Sequence, residues 1–409
     1  MRKTRVTAVL GCIFFLLITL SNFPATAQAP SPGPFALKDG DRVVFLGNSI
    51  FENDFQFGYL ELALTTRFAD KGITFRNLGW TGDNVWGEAR STYTNPPTPY
   101  EHLMEDITKT QPTVVFLAYG GVEAQEGQAG VAHFKDGLNK LIDKIDQLGA
   151  KTVLFSTIPV VSSDTAQHIS ERNADLELYS KTISEVATQR KKLFVDIYNP
   201  ILSASKKEPI IENTVHLNEL GYYHLAKILE KALGLEVAKA TTAITISNNK
   251  ADVSNGRALT TDNAATLAKF AVDNKYLPLP SPTSTNVISD NARIVQISGL
   301  KKGYYVLVSE HIQVAAASAK DWEKGVAIHQ GPQFSQVAEV RNMILKKNEL
   351  HFFQYRPLNQ TYIVGFRRYE QGRHVKGLEE QNILIKWLEG QIILNSEPKE
   401  VVYELRKME

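Results

Sequence analysis

The chain has 409 residues, 43% of them apolar and 22% charged, with a formal net charge of +1. This composition excludes wholesale disorder, and the length points to two domains or one domain with a large addition. A nearly neutral chain has no general electrostatic pull toward nucleic acid or an anionic membrane, and neither is expected as a partner.

The first 27 residues read as an export signal. Arg2, Lys3 and Arg5 form a basic start, an apolar run extends from Val9 to Leu20, and Ala25-Thr26-Ala27 offers an A-x-A cleavage site. The run is shorter than the roughly 20 apolar residues that span a bilayer. Cleavage after Ala27 and a secreted or periplasmic mature chain are therefore expected, with no integral membrane segment after cleavage. Cys12, the single cysteine, lies inside this leader. The expected mature chain then has no disulfide, no cysteine-ligated zinc and no c-type haem site, which suits a bacterial envelope.

Residues 28–40 form a linker containing a Pro-rich stretch, and a domain over 41–235 follows. Short apolar runs at Arg42–Leu46, Ile73–Leu78, Thr113–Tyr119, Lys151–Ile158 and Leu193–Tyr198 read as buried strands. They alternate with helical patterns at Phe57–Ala69, Tyr100–Lys109, Val131–Leu148, Ala174–Gln189 and Asn218–Leu233. This alternation predicts an α/β fold: a parallel sheet with helices on both faces. Ligands of such sheets bind beyond the carboxyl ends of the strands. Residues 236–332 are expected to form a β-rich module, from Ala243–Ser247 and Arg293–Val314, with Gly299–Gly303 read as a hairpin turn and Pro278, Pro280 and Pro282 as a loop. Residues 333–409 are expected to be helical, from the apolar spacing over Gln333–Leu345 and Glu379–Ile393.

Four strand-end blocks carry candidate chemistry. Gly47-Asn48-Ser49-Ile50 places a serine on the turn leaving the first strand, where its hydroxyl can be exposed and its N–H can face an oxyanion. Read alone, most such serines are turn residues or helix caps. Gly79 and Gly82 follow the second strand, where a glycine can offer its N–H to a substrate oxygen or make a plain tight turn. Tyr119-Gly-Gly121-Val122-Glu123 closes the third strand. Asn213-Thr-Val-His216-Leu-Asn opens the last helix of the domain and offers a histidine as general base, or as a surface residue.

The order G-x-S, N-x-G-x-x-G, Y-G-x-x-E and x-x-x-H-L-N resembles the SGNH/GDSL hydrolases over roughly Asp41 to Leu235. The segment Lys347 to Tyr362 (KNELHFFQYRPLNQTY) also looks like an exported subgroup similar to domains found beside haem-binding envelope modules; this chain carries no such module. The resemblance implies a three-layer α/β/α, flavodoxin-like fold with a C-terminal β-rich and helical addition. It implies Ser49 as nucleophile, His216 as base, Asn213 at the position of the acid, and Gly82 as an oxyanion donor. Asn48, Gly121 and Glu123 stand beside these as oxyanion or binding residues. It also implies hydrolysis of acyl esters, often acetyl groups on carbohydrate, without a metal or cofactor; the expected partner is a small-molecule or glycan ester.

Two positions depart from the pattern. Val122 stands where the family has an oxyanion-binding asparagine, and Asn213 where it has an aspartate. Glu212, Glu123 and Gln125 are nearby substitutes for a missing group. Arg356, Asn359, Arg367 and Arg368 form either a rim to the pocket or a structural network. The chemistry therefore points to an esterase, with a weakened SGNH fold that binds glycans or partner proteins as the rival.

Overall fold

The computed structural model describes residues 35–91, 96–162, 167–235, 241–247, 250–260, 266–282, 292–357, 369 and 373–408. The leader read over 1–27, most of the linker, and Asn359, Arg367 and Arg368 lie outside the described residues.

Strands β1 (Arg42–Gly47), β2 (Thr74–Gly79), β3 (Val114–Ala118), β4 (Lys151–Phe155) and β5 (Leu193–Val195) pair in parallel. Their order is β2-β1-β3-β4-β5, the flavodoxin-like order. Both faces are covered, which explains the unbroken apolar runs. Val43 and Phe45 of β1 and Phe116 of β3 face one core, with α1 (Ser49–Asp54), α2 (Tyr59–Arg67) and α7 (Glu219–Ala232). Val44, Leu46, Val115 and Leu117 face the other, with α3 (Pro99–Thr110), α4 (Gly127–Gln147) and α5 (Gln167–Arg190). The short helix α6 (Tyr198–Ser205) leads to a hairpin of β6 (Ile211–Glu212) and β7 (His216–Leu217), which enters α7.

The second half begins with β8 (Thr241–Ser247), β9 (Lys250–Val253), β10 (Gly256–Leu259), β11 (Thr266–Val272), β12 (Arg293–Ser298), β13 (Tyr304–Ser309) and β14 (Ile312–Ser318). It continues with α8 (Ala319–Lys324), β15 (Val326–Ile328), α9 (Pro332–Tyr355), α10 (Arg373–Ser396) and β16 (Val401–Lys407). Two sheets, ordered β10-β11-β16-β13-β14 and β15-β12-β8-β9, share one core around Phe270, Ile297, Leu307, Trp322 and Leu405. The turn at Gly299–Gly303 is not a hairpin, as its sequence suggests. β12 and β13 belong to different sheets, so the loop crosses from one to the other. Both strands bury alternate residues in the shared core, and that gives the same pattern as a hairpin.

Helix α9 returns to the first domain and docks on α2 and β2. Leu62 of α2 packs with Val337, Val340 and Ile344 of α9, and a buried ion pair lies beside them. The Lys347 ammonium donates to both Glu61 oxygens at 2.7 and 2.8 Å and to the Phe75 carbonyl at 3.1 Å, and Asn348 Nδ2 donates to Glu61 at 3.2 Å. Burial lowers the Lys347 pKa, while Glu61 opposes that shift. Removing one partner of such a pair strands a buried charge and costs about 3–5 kcal/mol, whereas replacing both with apolar groups is far milder. Lys347→Ala should therefore lower unfolding free energy by about 3–5 kcal/mol in urea titrations. Lys347→Met combined with Glu61→Leu should recover most of the loss; equal stability of the single and double variants would contradict the pairing.

Candidate active site

Ser49 opens α1 two residues beyond β1 and is half-buried. Asn48 holds the turn. Its side-chain oxygen accepts the Ile50 N–H at 3.1 Å, and its own N–H donates to the Ala118 carbonyl at the end of β3 at 3.2 Å. The serine is thus fixed at the carboxyl edge of the sheet, between the adjacent strands β1 and β3. The third block packs directly on this turn: a side chain at Gly121 would meet Asn48 Nδ2 at 3.2 Å.

The second block is fitted to α1. A Cβ on Gly79 would lie 2.2 Å from the Glu52 nitrogen, so only glycine lets the helix approach the strand end. Asn77 Nδ2 donates to the Phe51 carbonyl at 2.6 Å, and the Thr81 N–H donates to the Glu52 carboxylate. Gly82 is exposed with φ +80° and open space around it, so its backbone conformation is what calls for glycine.

Behind this loop lies a charged group that sequence reasoning missed. Arg90 has no exposure to water. It donates to Asp83 at 2.8 Å, to Asp106 at 3.0 Å and to the Leu78 carbonyl at 2.8 Å. The Tyr119 hydroxyl donates to the same Asp83 oxygen at 3.0 Å. Burial works against the Arg90 charge, but Tyr119, Asp83 and Asp106 outweigh it and hold the pKa above its ordinary value. The partners span three elements, so no periodic pattern in the chain announces them.

Glu123 is buried, and each of its oxygens is engaged by backbone: one accepts the Val85 N–H at 2.9 Å, the other the Gly120 N–H at 2.8 Å. It braces the second block against the third. Val122, beside it, is half-buried, and the Gly121 carbonyl accepts Arg172 Nη2 at 2.6 Å.

His216 opens β7 and is half-buried. α1 packs against β7. The Tyr222 hydroxyl, one turn into α7, donates to the Ile50 carbonyl at 2.8 Å and lies 3.3 Å from the Ser49 carbonyl. The histidine hairpin and the serine turn are thereby locked together. Asn213 sits at the tip of the hairpin, exposed, with φ +48°.

The C-terminal half contacts α1 and the second block. Arg356 Nη1 lies 3.0 Å from Glu52 Oε1, and its guanidinium covers the Trp80 ring at 3.9 Å. The Tyr355 hydroxyl donates to the Gly79 carbonyl at 2.6 Å. Arg341 donates to the Phe57 carbonyl at 2.7 Å and to Glu219 of α7 at 2.8 Å. Among the described residues, no group of three His, Cys, Asp or Glu side chains is placed to hold a metal ion, and no helix is long and apolar enough to cross a membrane.

Residues 45–224 match the GDSL-like Lipase/Acylhydrolase family. The solved structure of BT4096, a gut microbial diltiazem-metabolizing enzyme, is 18% identical and similar in fold, with a TM-score of 0.72 over 91% of this chain and 99% of that one. An acetylxylan esterase from Geobacillus stearothermophilus, Axe2, is 16% identical, with a TM-score of 0.41 over 49% of this chain and 98% of its own. The α/β hydrolase LAE5 from the metagenome of Lake Arreo is also 16% identical, with a TM-score of 0.40 over 49% of this chain and 99% of its own. No curated protein matches the chain.

Two carboxyls of this region carry a pH signature. Burial pushes Glu123 from its ordinary 4.5 up to about 7, and Asp54, whose oxygens accept the Tyr59 and Leu60 N–H groups, from 3.8 up to about 7. Between the ordinary and raised values the folded chain holds protons that the unfolded chain does not, so stability falls as pH rises through this window. Unfolding free energies measured from pH 5 to 8 should decline, and Glu123→Gln and Asp54→Asn should each flatten the decline. Unaltered slopes in both variants would contradict the assignment.

Proposed function

From the membership of residues 45–224 in the SGNH/GDSL hydrolase superfamily, we propose that this hydrolase is a serine esterase with Ser49 as nucleophile and His216 as general base. The observation that carries the reading is the lock between the serine turn and the histidine hairpin through α1, β7 and Tyr222. In the first step Ser49 Oγ attacks the ester carbonyl carbon while His216 takes the hydroxyl proton. The negative oxygen of the tetrahedral intermediate accepts the N–H groups of Ser49 and Gly82. Collapse expels the alcohol, which leaves with the proton from His216. Water then attacks the acyl-serine with the same histidine as base, releasing the acid and restoring the serine.

Acetyl or other acyl esters on carbohydrate are the proposed substrates, supported by the resemblance of the four blocks. The basic leader and the small residues at 25 and 27 support action outside the cytoplasm, with the mature chain starting at Gln28. Val122 leaves the oxyanion without a side-chain donor, a loss on the order of 2.7–4 kcal/mol of transition-state stabilisation. Val122 and Asn213 together favour a second reading, in which the fold is catalytically weakened and the pocket binds glycan or a protein partner.

Two expected outcomes test this. Ser49→Ala, His216→Ala and the double variant should lose similar amounts of small-acetyl-ester turnover, at least roughly 10³-fold, because the pair acts as one unit. Unchanged turnover in Ser49→Ala would remove the serine mechanism. Val122→Asn should raise turnover, toward the roughly 10²–10³-fold that one well-aimed donor contributes. Hydrolysis left at background together with weakened glycan binding in that variant would instead select the second reading.

A further inference from the structure

We propose that Glu212 is the positioning carboxylate for His216, in place of an acid at Asn213; the proposal rests on the esterase reading. In the β6–β7 hairpin Glu212 stands directly opposite His216. Residues directly opposite in an antiparallel pair project to the same face, with Cβ atoms about 4.5–5.5 Å apart. A glutamate side chain is long enough to reach an imidazole nitrogen across such a gap. Asn213 has no such place: with Thr214 it forms the turn, at φ +48° and +66°, outside the ladder. Its amide is neutral as well, and so cannot stabilise an imidazolium by charge.

The register of this hairpin is fixed from several sides. The Asn218 N–H donates to the Ile210 carbonyl at 3.1 Å, and Asn218 Nδ2 to the Pro209 carbonyl at 2.7 Å. The Thr214 carbonyl accepts the Val161 N–H from the loop after β4 at 3.0 Å. A one-residue slip would turn Glu212 to the opposite face, and these bonds oppose it.

The other acids on the surrounding elements are engaged elsewhere. On α1, Asp54 accepts the Tyr59 and Leu60 N–H groups, and Glu52 pairs with Arg356 and accepts the Thr81 N–H. On α7, Glu219 pairs with Arg341. Glu208, just before the hairpin, pairs with His224 at 2.7 Å. Among the described residues Glu212 has neither a cation nor an N–H donor on its carboxylate, and it is exposed enough to turn toward the imidazole. Its charge also reaches Tyr222 of α7. The pKa of Tyr222 is held well above its ordinary value by burial first, then by Asp54, Glu212 and Glu52.

The test measures kcat/KM for p-nitrophenyl acetate against pH, with the full chain and its variants. Glu212→Gln is expected to lose roughly 10²–10⁴-fold, the range left by removing the carboxylate behind a catalytic histidine, and to move the acid limb of the profile to lower pH. Glu212→Asp should restore part of the rate, and Asn213→Ala should stay within about threefold of the parent, as a turn residue outside the machinery does. Circular dichroism checks that each variant is folded. Turnover that depends on Ser49 but is unchanged in Glu212→Gln, or is lost equally in Asn213→Ala, overturns the role of Glu212 alone. Turnover equal in Ser49→Ala and the parent overturns the esterase reading and this proposal together.

Discussion

A guanidinium without access to water, Arg90, holds the loop on which the candidate oxyanion site depends. Removing such a charge from solvent is tolerable only if paired groups meet it with good geometry. Asp83, Asp106 and the Leu78 carbonyl meet it here, and each lies on a different part of the fold: the glycine loop, α3 and the end of β2. Fixing one therefore fixes the others. Tyr119 joins through Asp83 and brings in the third block. Trp80 lies with Arg90 5.0 Å from its ring centroid and Arg356 3.9 Å from it, so the same network reaches the C-terminal half. Arg356 in turn meets Glu52 on the helix that begins at Ser49.

The C-terminal half consequently packs directly on the region of the candidate site. Helix α9 is anchored by Lys347 in the α/β core, grips α7 through Arg341 and meets the second block through Tyr355 and Arg356. The chain then returns, and β16 enters the middle of a sheet between β11 and β13. The last strand completes a core whose first strands were laid down more than a hundred residues earlier. Stability and site geometry are coupled through this arrangement, because α9 bridges the two halves.

The α/β half was legible because its strands are buried on both faces and its helices are amphipathic, both strong local patterns. The placement of Ser49, Gly82 and His216 after strand ends and at the entry to the last helix was legible in the blocks around them, since a strand end needs particular residues to turn. What escaped were pairs that meet only in space. Lys347 and Glu61 lie in different halves of the chain and read singly as surface charges, yet both are buried. Arg90 and Asp106 look equally ordinary. The crossover at Gly299–Gly303 reads as a hairpin in the sequence because glycine punctuation marks a reversal without saying which strand comes next. β16 was absorbed into a helical region, although Val401, Tyr403 and Leu405 alternate inward with Val402, Glu404 and Arg406 between them. Seven residues at the end of a chain are too few for period alone to outweigh the helices before them.

The central claim is that Ser49 is an activated nucleophile, and covalent capture tests it most directly. The purified full chain is incubated with a fluorophosphonate, and the modified peptide is located by mass spectrometry. A serine esterase here requires a single adduct on the peptide containing Ser49, formed much more slowly in His216→Ala. An adduct on another residue, or folded protein that hydrolyses acetyl esters while Ser49 stays unmodified, would contradict it.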